Sequence, residues 1–302
     1  MKKGYIAIFI AVTAWGLSFL NSKIALKALQ PMTLCFLRFS IALIILSAIA
    51  IITKRDLKIK KKDLKYFLLA GGVGITVYFY FENNGVKYIR PSAASLILAG
   101  LPIAIMIGES IRKNKKMTKR KIISGVISLI GVAIIISKDL KFDSMFESRA
   151  LKGYIMMFFA IISWVIYSLS TEKLFDKYNQ FKIVYYQFVF GTIFAFPFIF
   201  IENNHFDLVN QETIINVFML GIFASTIGFF SYNYAMKKLG ISKSSLFINF
   251  IPLVTLIFSY FYYGELLHFR QIFGGLLIIA AVINSSNNEE VIKSSKQKII
   301  GD

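Results

Sequence analysis

Arg38 and Glu82 are ionisable residues inside long apolar runs. Charges in such runs are costly and mark either a transport pathway or a buried pair. Arg38 lies about six residues from one end of its run and Glu82 about five from the end of its own, or roughly 9 and 7 Å deep at the helical rise. Both ends belong to the same membrane face, so the two side chains are expected to pair in that half of the membrane. Two readings follow. The pair gates a cavity, with Glu82 exchanging a proton as the coupling group, or it is a permanent salt bridge between neighbouring helices. Glu82, Tyr78, Ile75 and Gly71 share one helical face by their spacing of three and four. Tyr232, Gly228, Ser225 and Gly221 form a matching face further on. Small residues there allow close helix approach. Tyr78, Asn83, Tyr232 and Asn233 are candidates for lining a polar cavity.

Trp15 and Trp164 fall near the middle of their runs, away from the interfacial belts where Trp usually sits. Either their rings close over a substrate, or they pack as core aromatics. Pro102 and Pro252 interrupt two other runs, each removing a backbone donor. Kinks are expected at both, with a hinge as their possible use. Asn249, one turn before Pro252, is placed to meet a freed carbonyl or a ligand. Glu109 is three and four residues before Arg112 and Lys113, which favours a local ion pair over ion coupling. Glu265 reads as an end-of-helix carboxylate.

Catalytic chemistry finds little support. His205 and His268 have no carboxylate cluster near them in sequence, and Cys35 is the single cysteine. No metal spacing, phosphate-cradling Gly-rich loop or nucleophile–base set occurs. The expectation is no metal, no cofactor and no enzyme activity. A membrane enzyme acting on lipid stays as an alternative.

These residues are carried by ten apolar runs. They lie near Gly4–Leu26, Thr33–Ile52, Lys65–Gly85, Ser92–Ile111, Arg120–Ser137, Gly153–Ser170, Ile183–Ile201, Thr213–Tyr234, Ser242–Tyr263 and Gln271–Ser285. A bilayer-crossing helix needs about 20 such residues. With 56% hydrophobic residues and 30 Phe, the chain is not an ordinary soluble domain. The first run is too long and lacks a small-residue cleavage site, so it reads as a retained helix. The net charge of +19 is distributed by loop. If the N-terminus is cytoplasmic, 25 Lys and Arg lie on that side and 9 on the other. The positive-inside rule then places both termini in the cytoplasm, in a multi-pass protein of the cytoplasmic (inner) membrane. The basic loops attract anionic lipid headgroups. Nucleic acid is excluded as a partner, since no basic domain is present to hold it.

The chain also repeats. At an offset of 149, Gly4-Tyr5 meets Gly153-Tyr154, Trp15 meets Trp164 and Phe39 meets Phe188. At an offset of 150, Gly71 meets Gly221, Asn83 meets Asn233, Ser95-Leu96 meets Ser245-Leu246 and Pro102 meets Pro252. Each copy holds five runs. An odd number in series sets the second copy upside down relative to the first. Inverted repeats are an architecture of secondary transporters, with the substrate site between the halves. Alternating access follows, because two near-equivalent halves can pack in two mirror-related ways.

Ala14-Trp15-Gly16, Lys23, Pro31 and Arg38-Phe39 resemble the opening of EamA-type transporters of the drug/metabolite transporter superfamily. Tyr88 through Leu96 before Pro102, and Gly264-Glu265 followed by Gln271 through Gly275, resemble later signatures of it. The resemblance implies an all-α membrane protein of ten transmembrane helices, arranged as two inverted five-helix repeats around a central cavity. On that basis residues 4–137 form the first repeat, 138–152 a linker, 153–286 the second repeat and 287–302 a polar cytoplasmic tail. It further implies a carrier of small metabolites such as amino acids, often an exporter. The partners are a small-molecule substrate, the bilayer and, for coupling, protons. An importer or exchanger of larger polar solutes remains open as a rival, although Arg38 is the lone cation inside the spans. Aligning the prolines sets Glu265 opposite Lys115 rather than Glu109, so no family role passes to Glu109.

Overall fold

The computed structural model describes residues 2–114, 119–136, 149–264, 268–281, 283 and 284; Glu265, most of the expected linker and the expected tail lie outside them. The described residues contain helices and no strand. We label the helices α1 (Lys2–Ala25), α2 (Pro31–Ile52), α3 (Lys61–Tyr88), α4 (Pro91–Arg112) and α5 (Lys119–Ile136). There follow α6 (Arg149–Glu172), α7 (Gln180–Ile201), α8 (Gln211–Leu239), α9 (Ile241–Tyr263) and α10 (Phe269–Ala281). Eight of these, all but α5 and α10, are long and apolar enough to cross a membrane.

Local sequence explains their ends. Pro31 and Pro91 open α2 and α4 at the first helical position, where a missing N–H costs nothing. The side chains of Asn179 and Asn210 cap α7 and α8 by accepting the N–H groups of Lys182 and Thr213. Gly264, at φ 63°, ends α9 in the left-handed conformation that favours glycine.

The distribution of polarity is that of a protein embedded in lipid. Phe261, Phe200 and Ile51 are 76–79% exposed, whereas Arg38, Asn83, Gln187 and Asn233 are fully or almost fully buried. An exposed apolar surface around a core that holds buried polar side chains suits a hydrocarbon solvent and would be ruinous in water. The protein is a multi-pass membrane protein.

Packing between the two copies follows one rule. α1 packs on α8 and α9, while α6 packs on α3 and α4. α2 packs on α8, α7 packs on α3, and α2 and α7 pack on each other. Exchanging each helix for its counterpart five positions on leaves this scheme unchanged. Three residue pairs related by the repeat also touch: Trp15 with Trp164 at 5.3 Å, Phe39 with Phe188 at 5.0 Å, and Phe79 with Phe229 at 6.2 Å between ring centroids. A side chain touches its own repeat mate only near the axis relating the copies. That axis therefore runs through an aromatic cluster at the centre of the molecule.

Two further features recur in both copies. The middle of α3 (Leu69–Val77) and of α8 (Leu220–Gly228) is wound as a π-helix. Gly71 and Gly221 begin these segments and press against α7 and α2. A Cβ on Gly71 would stand 2.6 Å from Phe190 Cβ and 2.8 Å from the Gln187 carbonyl oxygen. On Gly221 it would stand 2.7 Å from Ile41 Cβ and 3.1 Å from the Arg38 carbonyl oxygen. The prolines also act alike. α4 breaks at Ala99-Gly100 and α9 narrows to a 3-10 turn over Phe247–Phe250, each just before its proline. The expected interruptions are present, set where the proline ring would crowd the carbonyl four residues earlier.

Candidate functional site

The π-segment of α3 leads directly into Tyr78, Phe79 and Glu82, and that of α8 into Phe229. A widened turn often marks a functional site, because it re-aims the side chains that follow. Here they point to the axis, where a cavity of about 20 Å³ lies between the copies. Its polar wall is Trp15, Ser18, Arg38, Tyr78, Glu82 and Trp164, from α1, α2, α3 and α6. Phe79, Phe229 and aliphatic residues of α4 and α9 complete it. The space suits about one water molecule, far below the several hundred Å³ of an ordinary small-molecule site. The cavity as it stands is too small for a metabolite.

Arg38 and Glu82 line this cavity without joining. No ion pair or hydrogen bond connects them, contrary to the expected pairing. Each has found another partner first. The Tyr78 hydroxyl donates to Glu82 Oε1 at 2.9 Å. Arg38 Nε donates to Ser225 Oγ at 2.9 Å, and its guanidinium carbon lies 4.4 Å from the Phe79 ring centre. Arg38 Nη1 has no hydrogen-bond partner. A buried guanidinium nitrogen left in that condition carries a large desolvation penalty.

Trp15 and Trp164 meet edge to face, at 89° between ring planes, and both line the cavity. Trp15 Nε1 donates to the Ala224 carbonyl at 3.0 Å, within the π-segment of α8. These rings are core aromatics that also form part of the cavity wall.

Four of the cavity candidates are elsewhere. Asn83 Nδ2 donates to the Pro31 carbonyl at 2.8 Å, tying α3 to the start of α2. Tyr232 packs its ring on Trp15 at 4.8 Å. Asn233 Nδ2 donates to the Tyr167 hydroxyl at 2.7 Å and to the Phe229 carbonyl at 2.9 Å. Asn249 sits between the lining residues Ile248 and Ile251 but does not line the cavity, and its Oδ1 is buried without a partner. Sequence reasoning missed Ser18, one turn from Trp15, and the pair Phe79 and Phe229, which the 150-residue offset brings into register. It also missed a neutral network in which Gln187 accepts from Tyr167 at 3.4 Å and donates to Thr171 at 2.9 Å. At the repeat offsets Gln187 answers to Arg38, and Tyr232 to Glu82. The scaffold is duplicated, but the charged pair is not.

Both ends of the molecule are clamped. On the face holding residue 2 and the loops after α2, α4, α6 and α8, Lys177 Nζ meets Asp63 Oδ1 at 2.5 Å and Lys182 Nζ meets Asp56 Oδ2 at 2.9 Å. Arg112 pairs there with Glu172 rather than with Glu109. Glu109 takes Lys113, at 3.0 Å, as its spacing predicts. On the other face Glu202 accepts the N–H groups of Met32 and Thr33, at 3.0 and 2.7 Å, capping α2. Lys23 Nζ donates to the carbonyls of Val86, Lys87 and Ile89, where the helix-end dipole of α3 favours a cation. His205 and His268 bring no cluster: among the described residues no group of three His, Cys, Asp or Glu could hold a metal.

A duplicated helical bundle in lipid, with a small amphipathic cavity on its axis, defines a membrane carrier. The sequence profile of the EamA-like transporter family matches residues 2–137 and 151–286, and the chain belongs to that family. It is 29% identical over 275 residues to an uncharacterized transporter of Archaeoglobus fulgidus, covering 91% of this chain and 95% of that one. It is 23% identical over 277 residues to a probable terminal-alkyne amino-acid exporter of Streptantibioticus cattleyicolor, covering 92% and 91%. A solved crystal structure shares the fold with a TM-score of 0.69 at 15% identity, over 97% of this chain and 99% of that one. The protein is thus a transporter and not an enzyme.

Proposed function

We propose that this transporter carries small zwitterionic metabolites of the amino-acid class out of the cytoplasm by alternating access. The supporting observation is the separation of Arg38 from Glu82 across one cavity, with Arg38 Nη1 unpartnered. A substrate carboxylate would complete Arg38, and its ammonium group would take Glu82. The Trp15 and Trp164 rings would cover the apolar part. The amino-acid exporter named above is a distant relative with the same class of cargo. An inverted arrangement of the two copies, each of five helices, accounts for the exchange symmetry of the packing and for contacts at the axis. It supplies two near-equivalent packings open to opposite sides. By the positive-inside rule the basic loops favour a cytoplasmic position for the face of Asp56 and Lys177, in an inner membrane. Glu82 is the buried carboxylate able to take up a proton, so protons are the proposed coupling ion.

The test is uptake of an amino-acid and metabolite panel into proteoliposomes, with and without an imposed pH gradient, for wild type and Glu82→Gln. Gradient-dependent accumulation of zwitterions that fails in the variant is expected. Flux that ignores the gradient and survives the variant would leave a facilitator, and flux of anions alone would overturn the zwitterion assignment.

A further inference from the structure

A second cavity, of about 560 Å³, lies apart from the central one, in a groove walled by α4, α9 and α10. Its wall is apolar along its length: Leu96, Leu253, Ile257, Phe261, Ile272 and Leu276 are representative. The groove follows α9 from Pro252, the midpoint of that helix, to Phe261 at the end facing Gly264. Nine residues of helix are about 13 Å long at 1.5 Å per residue, close to the roughly 15 Å hydrocarbon depth of one leaflet. An extended hydrocarbon chain of that length fits a groove of about 560 Å³. Ser92 and Gln271, polar residues of the groove wall, lie in the first turns of α4 and α10. A headgroup would lie at that end of the groove, next to Arg270.

We propose that this groove binds one acyl chain of a membrane phospholipid from the leaflet on the side of Gly264, as a resident lipid. The lipid seals α9 and α10 against α4. It sits outside the substrate cavity, so the assignment does not depend on what the protein carries.

Two measurements test it on the full-length protein. Native mass spectrometry of protein extracted in mild detergent counts retained phospholipid. Phosphatidylglycerol bearing a diazirine in its acyl chain, in proteoliposomes, maps the contact by photo-crosslinking. Wild type is expected to retain one lipid and to crosslink preferentially at residues 253–261 and 272–279. Ile257→Trp, from one wall, and Leu276→Trp, from the other, fill the groove. Either is expected to lower lipid retention and crosslinking at least about five-fold. Ile214→Trp, on the exposed face of α8, is expected to leave both unchanged. Two filling variants keep the test open should one fail to fold. Crosslinks spread evenly over lipid-facing helices, or retention unaffected by filling, would overturn the proposal. Two protein copies in the native mass spectrum of wild type, reduced to one copy by Ile257→Trp, would instead assign the groove to a dimer and equally overturn it.

Discussion

Replacing Arg38 by Met is expected to stabilise the protein and to abolish transport. Methionine keeps much of the length and volume of the side chain, so no large cavity opens. What disappears is a buried guanidinium with one hydrogen bond to Ser225, contacts with the Phe79 and Phe39 rings and an unpartnered Nη1. Replacing a whole buried ion pair or triad with apolar groups of similar volume gains about 1–4 kcal/mol, which sets the upper bound for removing this one guanidinium while Glu82 stays. Against this, the loss leaves Ser225 Oγ without the donor it accepts from, at a cost of about 1 kcal/mol. The balance is a gain of roughly 0–3 kcal/mol. For a chain of this size that raises the melting temperature by up to about 12 °C, at about 2–4 °C per kcal/mol. Trp15 and Trp164, both buried at the axis, report unfolding directly by fluorescence of the detergent-solubilised protein. Substrate counterflow in proteoliposomes reads function in parallel. The opposite outcome is equally clear. Were Arg38 and Glu82 a structural salt bridge, removing one partner would cost about 3–5 kcal/mol. A melting temperature lowered by 6 °C or more in Arg38→Met would refute the reasoning, and retained transport would refute the site.

Other perturbations carry defined expectations. Gly221→Val and Gly71→Val should each destabilise by about 1–3 kcal/mol, because their side chains would overlap Ile41 or Phe190 and press on a backbone oxygen; parallel thermal scans of the two should agree closely. Glu202→Ala removes the acceptor for two N–H groups and the Thr33 hydroxyl and should cost about 1–2 kcal/mol; Glu202→Gln should recover part of it in the same scan. Trp15→Phe leaves the Ala224 carbonyl without its indole donor and should cost about 1 kcal/mol, read by chemical denaturation followed through Trp164. The hydrogen bond from Lys182 holds the Asp56 carboxyl below its ordinary pKa. Its contribution is therefore present above the ordinary carboxylate range near pH 4 and lost as the pH falls through the lowered value; Asp56→Asn should show a shallower loss of melting temperature on acidification than wild type.

Much of the architecture was legible because lipid imposes a simple code. Long apolar runs, Lys and Arg sorted by loop, and prolines at matching places read out helices, interruptions and duplication without knowledge of any contact. The π-segments were not legible. Gly71 and Gly221 signal close approach, but nothing in Leu69–Val77 or Leu220–Gly228 distinguishes a widened helix from an ordinary one. Side-chain partners were also hidden. Depth along a helix placed Arg38 and Glu82 at one level, yet rotation and local competitors decide whether they meet. Tyr78, four residues before Glu82, and Ser225, across the axis, captured them separately. Asn83 shows the same limit: its depth suits a cavity, while its position on the helix turns it to the Pro31 carbonyl.

The departures from symmetry are as informative as the symmetry. Residues that build the axis repeat faithfully: Trp15 and Trp164, Phe39 and Phe188, Phe79 and Phe229, Gly71 and Gly221. Rings and glycines in those places let two helical scaffolds pack through the same contacts. Where chemistry is needed the copies diverge. Gln187 stands at the place of Arg38, and Tyr232 at the place of Glu82. The neutral amide shares its hydrogen bonds within a closed network with Tyr167, Thr171 and Asn233. The charged residues leave a donor unused. Under the proposed alternating access, symmetry in the apolar contacts would keep the alternative packings close in energy, since each replaces ring-on-ring contacts with others of the same kind. Under the proposed site, asymmetry in the charges would confine recognition to one half. A doubled variant, Arg38→Gln with Glu82→Tyr, would make that half resemble the other. On this argument it should fold at least as stably as wild type, with both buried charges gone, and bind no zwitterion in a ligand-induced melting assay. Retained binding would place the substrate somewhere other than between Arg38 and Glu82.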